Sequence, residues 1–385
     1  MSLAQPVIGD EEVEAVTKVL RSGWLSVGPE TAAFERGFAE ALGVGRAVAV
    51  SSGSAALHLA LMALGIGPGH EVIVPSLTFV ATANAVCLLG ARPVFADVRS
   101  DQDLTIDPAD VARLLRPSTR AIIAVHYGGW PADLKALRAL ADDAGVALVE
   151  DVAHAPVVQA GNAMLGTVGD AGCFSFFATK NLTMGEGGLV VARRPETLDT
   201  VRLLRSHAMT VNSWDREHGR DGAYDVVDVG FNYRPSEMAA ALGRVQLGRL
   251  AADRRARAAS VAQYVAGLAS LPVAMAFDPE QVSAYHILPV LLPADIDRDE
   301  VQAGLREARI QSSVHYPPVH LFSAYRRRFG TGPGEVRRTE ALSRRLLTLP
   351  LHANLSRADV ALVCDSLARA IDRRLPAGRV GTATS

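Results

Sequence analysis

The chain has 385 residues, 49% hydrophobic and 21% charged, enough for one large core and a second, smaller one. Its 39 basic residues nearly balance 41 acidic ones, for a net charge of −2. With no basic block, neither nucleic acid nor an anionic membrane is expected as a partner. Cys87, Cys173 and Cys364 are far apart and odd in number. That argues against a disulfide framework and a paired-cysteine metal site, and for a reducing, cytoplasmic setting. The opening MSLAQPVIGDEEVEAV lacks the basic and apolar regions of a signal peptide. No apolar run approaches a membrane span.

From about residue 47 to 192, short β-branched runs alternate with helical stretches. RAVAVSSGS reads as a strand ending in a turn, and AALHLALMALG as a helix closed by Gly65. That helix is apolar nearly all round, with His58 its polar exception, so it is expected to be buried. EVIVPSLTF, RPVFADV, RAIIAVHYGG and VALVED read as further strands, with VATANAVCLLG and ADLKALRALADDAG as helices between them. Strands separated by helices imply βαβ units and a parallel sheet covered on both faces. FSFFAT and GGLVVAR are expected to pair as neighbours closing that sheet. The stretch after Pro235 has helical spacing with many arginines and is expected to connect two domains. Beyond it, HILPVLL and IQSSVHY read as short strands, RDEVQAGLREARI and RADVALVCDSLARAI as helices, and RRLPAGRVGTATS as a frayed end. The expectation is an α/β fold with a mostly parallel sheet: a large domain over 1–248 and a smaller α+β domain over 249–385.

Several familiar motifs are absent. GIGPG, residues 65–69, follows a helix rather than a strand and so lacks the dinucleotide-binding context. No phosphate-binding Walker loop, zinc-protease HExxH or nucleophile elbow is found, and no metal site is expected. Four other features converge. Ser51-Ser52-Gly53-Ser54 stands where a strand gives way to a helix, either a plain serine cap or a phosphate seat. Asp151 ends a very apolar strand, where ligands of open α/β sheets bind. It can cap the next helix or partner a protonated ring nitrogen. Lys180 follows the phenylalanine-rich strand, and an amine partly removed from water loses its charge more readily and becomes a better nucleophile. A surface lysine at a strand end is the plain alternative. GEGG, 185–188, lets backbone pass close to a bound group. Together these supply the phosphate seat, carboxylate and amine that pyridoxal phosphate requires.

Over about residues 6–370 the chain resembles the DegT/DnrJ/EryC1/StrS sugar aminotransferase family of fold-type I pyridoxal-phosphate enzymes. The resemblance lies in SSGSAALHLALMALGIGPGHEVIVPSLTFVATANAV, ARPVFADV, VEDVAHA, GDAGCFSFFATKNLTMGEGGLVV, GFNYRPSEMAAALGRVQL and VHYPPVH. VHYGGWPADL and FATKN look closest to enzymes that aminate C4 of nucleotide-linked 4-keto sugars. The resemblance implies that Lys180 holds the cofactor through its amine and shuttles the reacting proton. Asp151 would pair with the ring nitrogen, and Gly53, Ser54, Ala55 and Ser175 would cradle the phosphate. Phe79 would stack on the ring, and His154 would sit near the ring oxygen. Asn232 would reach the phosphate of the neighbouring subunit, which implies a homodimer with shared sites. His315, Tyr316 and His320 form a polar-aromatic edge suited to a sugar or nucleotide, with a proline-rich turn as the other reading. Trp214, Asp215 and Arg216 are candidates to close over the substrate. His126 reads as a hydrogen-bonded structural residue.

The implied substrates are an amino-acid donor, L-glutamate, and a nucleotide-activated keto sugar. Amination of a keto-cyclitol and a non-catalytic cofactor-binding role stay open as alternatives. Val152 stands where the family usually has alanine, and Ala208 where a glycine is common. These departures flank the expected site and bear on substrate shape. Relatives with histidine at the lysine position act as dehydrases, a reading that Lys180 opposes.

Overall fold

The computed structural model describes residues 1–211, 219 and 223–372. The strands are β1 (Val48–Val50), β2 (Glu71–Pro75), β3 (Arg92–Ala96), β4 (Thr119–Val125), β5 (Ala147–Asp151), β6 (Gln159–Ala160), β7 (Ala163–Met164), β8 (Ala171–Ser175), β9 (Gly188–Ala192), β10 (Ala274–Met275), β11 (Leu288–Leu291) and β12 (Leu346–Leu349). Seven form one sheet in the order β1-β9-β8-β5-β4-β2-β3. The pairs from β8 through β5, β4 and β2 to β3 are parallel, whereas β9 runs antiparallel to both β8 and β1.

Residue alternation explains why both faces of this sheet are dry. Successive side chains of a strand point to opposite faces. Ile73, Ile122, Leu148, Phe174 and Leu189 share one core with Phe34 and Phe38 of the helix Pro29–Leu42. Val72, Val74, Ile123, Val149, Cys173 and Val190 share another with the helix Gly53–Ala63. That helix packs between the sheet and the helices Ala81–Leu88 and Pro195–Leu204. Its apolar circumference is therefore used on every side, and even His58 is buried, with Nδ1 3.3 Å from Tyr233 Oη. Burying one such leucine or valine side chain contributes about 1.5–3 kcal/mol.

A third core lies under a small antiparallel sheet of β10, β11 and β12. The helix Glu237–Leu268 spans from the large sheet's flank to this core. Ser236 caps it by accepting the Ala239 N–H at 3.2 Å. Its first half packs on the helices Asp10–Ser22 and Pro29–Leu42, its second on Arg357–Asp372. Two different partners leave it without one continuous apolar stripe, which is why its sequence reads as a connector. Buried Glu237 accepts the N–H groups of Gly28, Glu30 and Thr31 at 2.7–2.8 Å, capping Pro29–Leu42 from a distance in sequence. The chain start joins the C-terminal part: Gln311 donates to the Met1 carbonyl, and Leu351 to that of Leu3.

Three expectations change. FSFFAT and GGLVVAR do meet, as β8 and β9, but β1 covers β9 and forms the sheet edge. β8 also ends at Ser175, so Lys180 sits beyond the strand, in a turn where its N–H donates to the Phe177 carbonyl at 2.9 Å. IQSSVHY is not a strand; it makes a single bridge, Ser313 to Thr348 of β12. The expected frayed end and Trp214, Asp215 and Arg216 lie outside the described residues.

Candidate active site

Asp151 is the last residue of β5 and stands in register with Cys173 of β8. Both strands run the same way, so their carboxyl ends open on one side of the sheet, where a ligand cleft is expected. A cleft of about 420 Å³ lies there, lined by Gly53, Ser54, Phe79, Asp151, His154, Ser175, Lys180, His315 and Tyr316, and also by Ser52, Thr78, Thr82, Phe177, Thr179 and Glu186.

Beneath the cleft, Phe174 and Phe176 are fully buried and pack edge-on against Phe34 and Phe38 at centroid distances of 5.0–5.3 Å. This aromatic block anchors the segment from which the Lys180 turn rises. Lys180 is half-buried, and desolvation lowers its pKa to about 8, with nearby Asp151 opposing the shift. Asp151 itself is buried. It accepts Thr82 Oγ1–H at 2.8 Å and the Ala153 N–H at 3.2 Å. Burial raises its pKa, against these two hydrogen bonds and the charge of Lys180.

At the start of the helix Gly53–Ala63, Ser52 Oγ accepts the Ala55 N–H at 3.1 Å, and its carbonyl accepts the Ala56 N–H. The serine cap expected as the plain reading is therefore present, and it engages the Ala55 N–H. Among the described residues, the N–H groups of Gly53 and Ser54 have no partner. The turn leaves no room for side chains: a Cβ on Gly53 would come within 2.6 Å of Ser175 Cβ, and one on Gly188 within 2.3 Å of the Ser52 carbonyl oxygen.

His154 is buried, and both ring nitrogens are engaged. Nδ1 accepts the Gly128 N–H at 3.2 Å, and Nε2 lies 3.0 Å from Tyr316 Oη. Burial, then the charge of Lys180, pushes its pKa well down, so the ring is neutral. The His286 ring packs on it at 4.4 Å. His286 Nδ1 in turn lies 3.0 Å from Asn181 Oδ1, and Asn181 Nδ2 donates to the Ala284 carbonyl at 2.6 Å. The residue after Lys180 is thereby tied to the strand-bearing C-terminal part. Phe79 is 55% exposed, with its ring 5.8 Å from that of Tyr316 at the cleft mouth. His315 Nδ1 lies 3.0 Å from Thr348 Oγ1, and desolvation lowers its pKa to about 4.

Two expected residues are not brought to the cleft. His320 is fully buried, with Nδ1 2.6 Å from Ser76 Oγ and Nε2 3.1 Å from Glu340 Oε1. It ties Pro-rich turn to sheet and cannot reach a substrate. Asn232 is exposed, bridged to Ser206, and outside this chain's own cleft. His126 is buried beside Glu150, with Nε2 3.0 Å from its carboxylate, which also accepts the N–H groups of Gly166, Val168 and Gly169. That network fixes the end of β5. Sequence reasoning did not reach Thr82, Asn181 or His286, since each earns its place through a contact distant in sequence. Asn181 alone had a signal, standing next to the lysine in FATKN.

One cleft thus holds a buried carboxylate, an amine with a lowered pKa and a helix start with two free N–H groups. These donors fit pyridoxal phosphate: ring nitrogen, aldehyde and phosphate each meet a group of matching chemistry. Comparisons agree. Residues 6–368 match the DegT/DnrJ/EryC1/StrS aminotransferase family. Among solved structures, the aminotransferase TlmJ from Streptoalloteichus hindustanus is 36% identical, with a TM-score of 0.89 over 97% of this chain and 99% of that one. DesV of S. venezuelae is 37% identical, with a TM-score of 0.85 over 93% and 94% of the two chains. The Streptococcus pneumoniae sugar aminotransferase Spr1654, solved in PMP and PLP forms, is 28% and 27% identical, with TM-scores of 0.92 and 0.91. These alignments cover 97% of this chain and 100% of the relative for the PMP form, and 98% and 100% for the PLP form. The chain belongs to the DegT/DnrJ/EryC1/StrS aminotransferase family, a fold-type I, pyridoxal-phosphate-dependent group of sugar aminotransferases.

Proposed function

We propose that the protein moves an amino group from L-glutamate to a nucleotide-activated keto sugar, at C4 of a 4-keto-6-deoxyhexose or 4-keto pentose, in amino-sugar biosynthesis. The observation that carries this reading is the Lys180 amine, with a pKa lowered to about 8, in one cleft with buried Asp151. The choice of C4 rests on the likeness of VHYGGWPADL and FATKN to C4-aminating enzymes. The donor choice rests on family chemistry.

When bound, pyridoxal phosphate supplies an aldehyde for the donor's nitrogen and a ring that withdraws electrons from the carbon bearing it. Lys180 holds the cofactor and then, as a free amine, takes a proton from the substrate carbon and returns it. A pKa near the working pH suits a group that must both accept and donate. Asp151, held by Thr82 and Ala153, pairs with the ring nitrogen and keeps it protonated. The N–H groups of Gly53 and Ser54, the Ala55 turn and the Ser175 hydroxyl hold the phosphate. Phe79 covers the ring. His154 supports the ring-oxygen side, and His315 and Tyr316 face the sugar.

The functional unit in this reading is a cytoplasmic homodimer in which Asn232 reaches the partner's phosphate. In support, Asn232 is exposed, and the adjoining Tyr224, Val226, Val227 and Val229 are 50–78% exposed. Such a patch favours burial against a second copy. The three free cysteines suit a reducing compartment.

The test is a half-reaction. The enzyme is loaded with glutamate, and nucleotide-linked 4-keto-6-deoxyhexose, 3-keto-6-deoxyhexose, 4-keto pentose and keto-inositol are offered in turn. Recovery of the pyridoxal absorbance with a 4-keto sugar, and a product with nitrogen at C4 by NMR, supports the reading. Recovery with keto-inositol alone overturns it.

A further inference from the structure

The hydrogen bonds around His154 fix which way a proton points in the cleft. His154 Nδ1 accepts the backbone N–H of Gly128 at 3.2 Å, so this nitrogen carries no proton. The neutral ring therefore bears its proton on Nε2, 3.0 Å from Tyr316 Oη. Nε2–H donates, Oη accepts, and the tyrosine's own O–H is released to donate elsewhere. Tyr316 lines the same cleft as Lys180.

Other hydroxyls of the cleft are spent or misplaced. Thr82 donates to Asp151, so Thr78 donates to Thr82 Oγ1 at 2.9 Å, while Ser52, whose Oγ accepts the Ala55 N–H, sits at the helix start. Ser54 and Ser175 adjoin the helix start, at the phosphate seat. Thr179 is exposed at the rim. Tyr316 is the hydroxyl left on the His154 side.

Resting on the sugar-aminotransferase reading above, we propose that Tyr316 is a catalytic proton donor to the departing oxygen of the keto acceptor, and that His154 is a positioning residue acting through it. Exchange of C=O for C=N forms two bonds from carbon to the amine nitrogen, breaks both to oxygen and releases that oxygen as water. Two protons must travel from nitrogen to oxygen. Tyr316 gives its hydroxyl proton to the oxygen twice, first as nitrogen adds and the C=O π bond breaks, then as the last C–O bond breaks, with the electron pair leaving on the water. Burial and the charge of Asp151 raise the Tyr316 pKa, so no phenolate accumulates: each time, Tyr316 takes a proton from the amine nitrogen as it gives its own, with its oxygen held by His154 Nε2–H. Tyr316 ends as it began, and no outside oxidant or reductant is needed.

The first measurement needs no turnover. Nitrogen-15 spectra of histidine-labelled, cofactor-free protein, with His154 assigned through His154→Gln, are expected to show Nδ1 unprotonated and Nε2 protonated. The opposite tautomer would make Tyr316 the donor to His154 and overturns the proposal. The second measurement is Tyr316→Phe with the keto-sugar nucleotide that the wild type turns over. Loss of about 10²-fold in kcat, with KM and the cofactor's visible spectrum little changed, supports it. A kcat within about threefold of the wild type overturns it. His154→Leu should lower kcat in the wild-type background and add little to the loss in Tyr316→Phe, whereas fully additive losses overturn the positioning role. If the wild type itself turns over no keto sugar, the functional reading fails first and takes this proposal with it. The tautomer spectrum then still reports separately on the geometry.

Discussion

Asp151 and Lys180 reach one cleft from neighbouring strands: Asp151 ends β5 in register with Cys173 of β8, and Lys180 stands in the turn that follows β8. The carboxylate opposes the fall in the amine's pKa, and the amine opposes the rise in the carboxylate's, while burial drives both shifts.

The Thr82 hydroxyl helps keep Asp151 ionised. Thr82→Val removes a hydrogen bond to a charged group, worth about 1.5–3 kcal/mol. Asp151 then protonates at higher pH. The acidic limb of the kcat–pH profile should move upward, and cofactor should bind more weakly. Asp151→Asn should lower kcat by at least about 10²-fold, since no carboxylate then keeps the ring nitrogen protonated. An unmoved acidic limb in Thr82→Val would remove Thr82 from this role.

Lys180→Met should abolish the cofactor's lysine-linked visible band and transamination, and it should stabilise the cofactor-free protein at neutral pH. The lysine binds a proton more weakly in the folded chain, at about 8 against 10.5. Between those values the unfolded chain holds the extra proton, so its stability penalty is full below pH 8 and fades as pH rises toward 10.5. Each pH unit of depression is worth about 1.4 kcal/mol. The gain from Lys180→Met, read by thermal or urea unfolding, should therefore exceed about 1 kcal/mol at pH 7 and shrink by pH 10. Equal stabilities at the two pH values would show that the amine is not desolvated.

His154, His286 and His315 cluster at the cleft with pKa values lowered chiefly by burial, that of His315 to about 4. Each stays neutral in the folded chain but protonates in the unfolded chain near 6.5. Stability should be steady above pH 6.5 and fall as pH drops from 6.5 toward 4. Unfolding midpoints measured across that window check it. His315→Gln should flatten part of the slope.

Gly188→Ala should cost about 1–3 kcal/mol of stability, because the new Cβ would lie 2.3 Å from the Ser52 carbonyl oxygen and must push backbone aside. Since Ser52 caps the helix whose first N–H groups are the proposed phosphate seat, cofactor affinity should fall as well. Gly185→Ala is a contrasting probe: its Cβ would meet nothing within 4 Å, though its φ of +74° adds strain. It should weaken stability without touching the phosphate seat.

The α/β class was legible in the alternation of β-branched strands with helices, and Asp151 at a strand end, Gly53-Ser54 at a helix start and Lys180 beyond a strand stood out as candidates for chemistry. Periodicity is a local property, so burial on both faces of β2 could be read from Val72, Ile73 and Val74 alone. The sheet edge could not, because pairing of β9 with β1 joins segments far apart in sequence. His320 looked like substrate chemistry beside Tyr316, yet Ser76 and Glu340 draw it into the interior.

By itself, then, the sequence determined the layers of the fold and marked the lysine, the carboxylate and the Ser-Gly turn as site candidates. Each depends on residues adjacent along the chain or on the repeat of an element. Tertiary structure alone decided that Thr82 holds Asp151, that Asn181 and His286 brace the Lys180 turn, and that Gly128 sets the proton on His154. Hydrogen bonds act over about 3 Å, and only folding brings residues so distant in sequence within that reach.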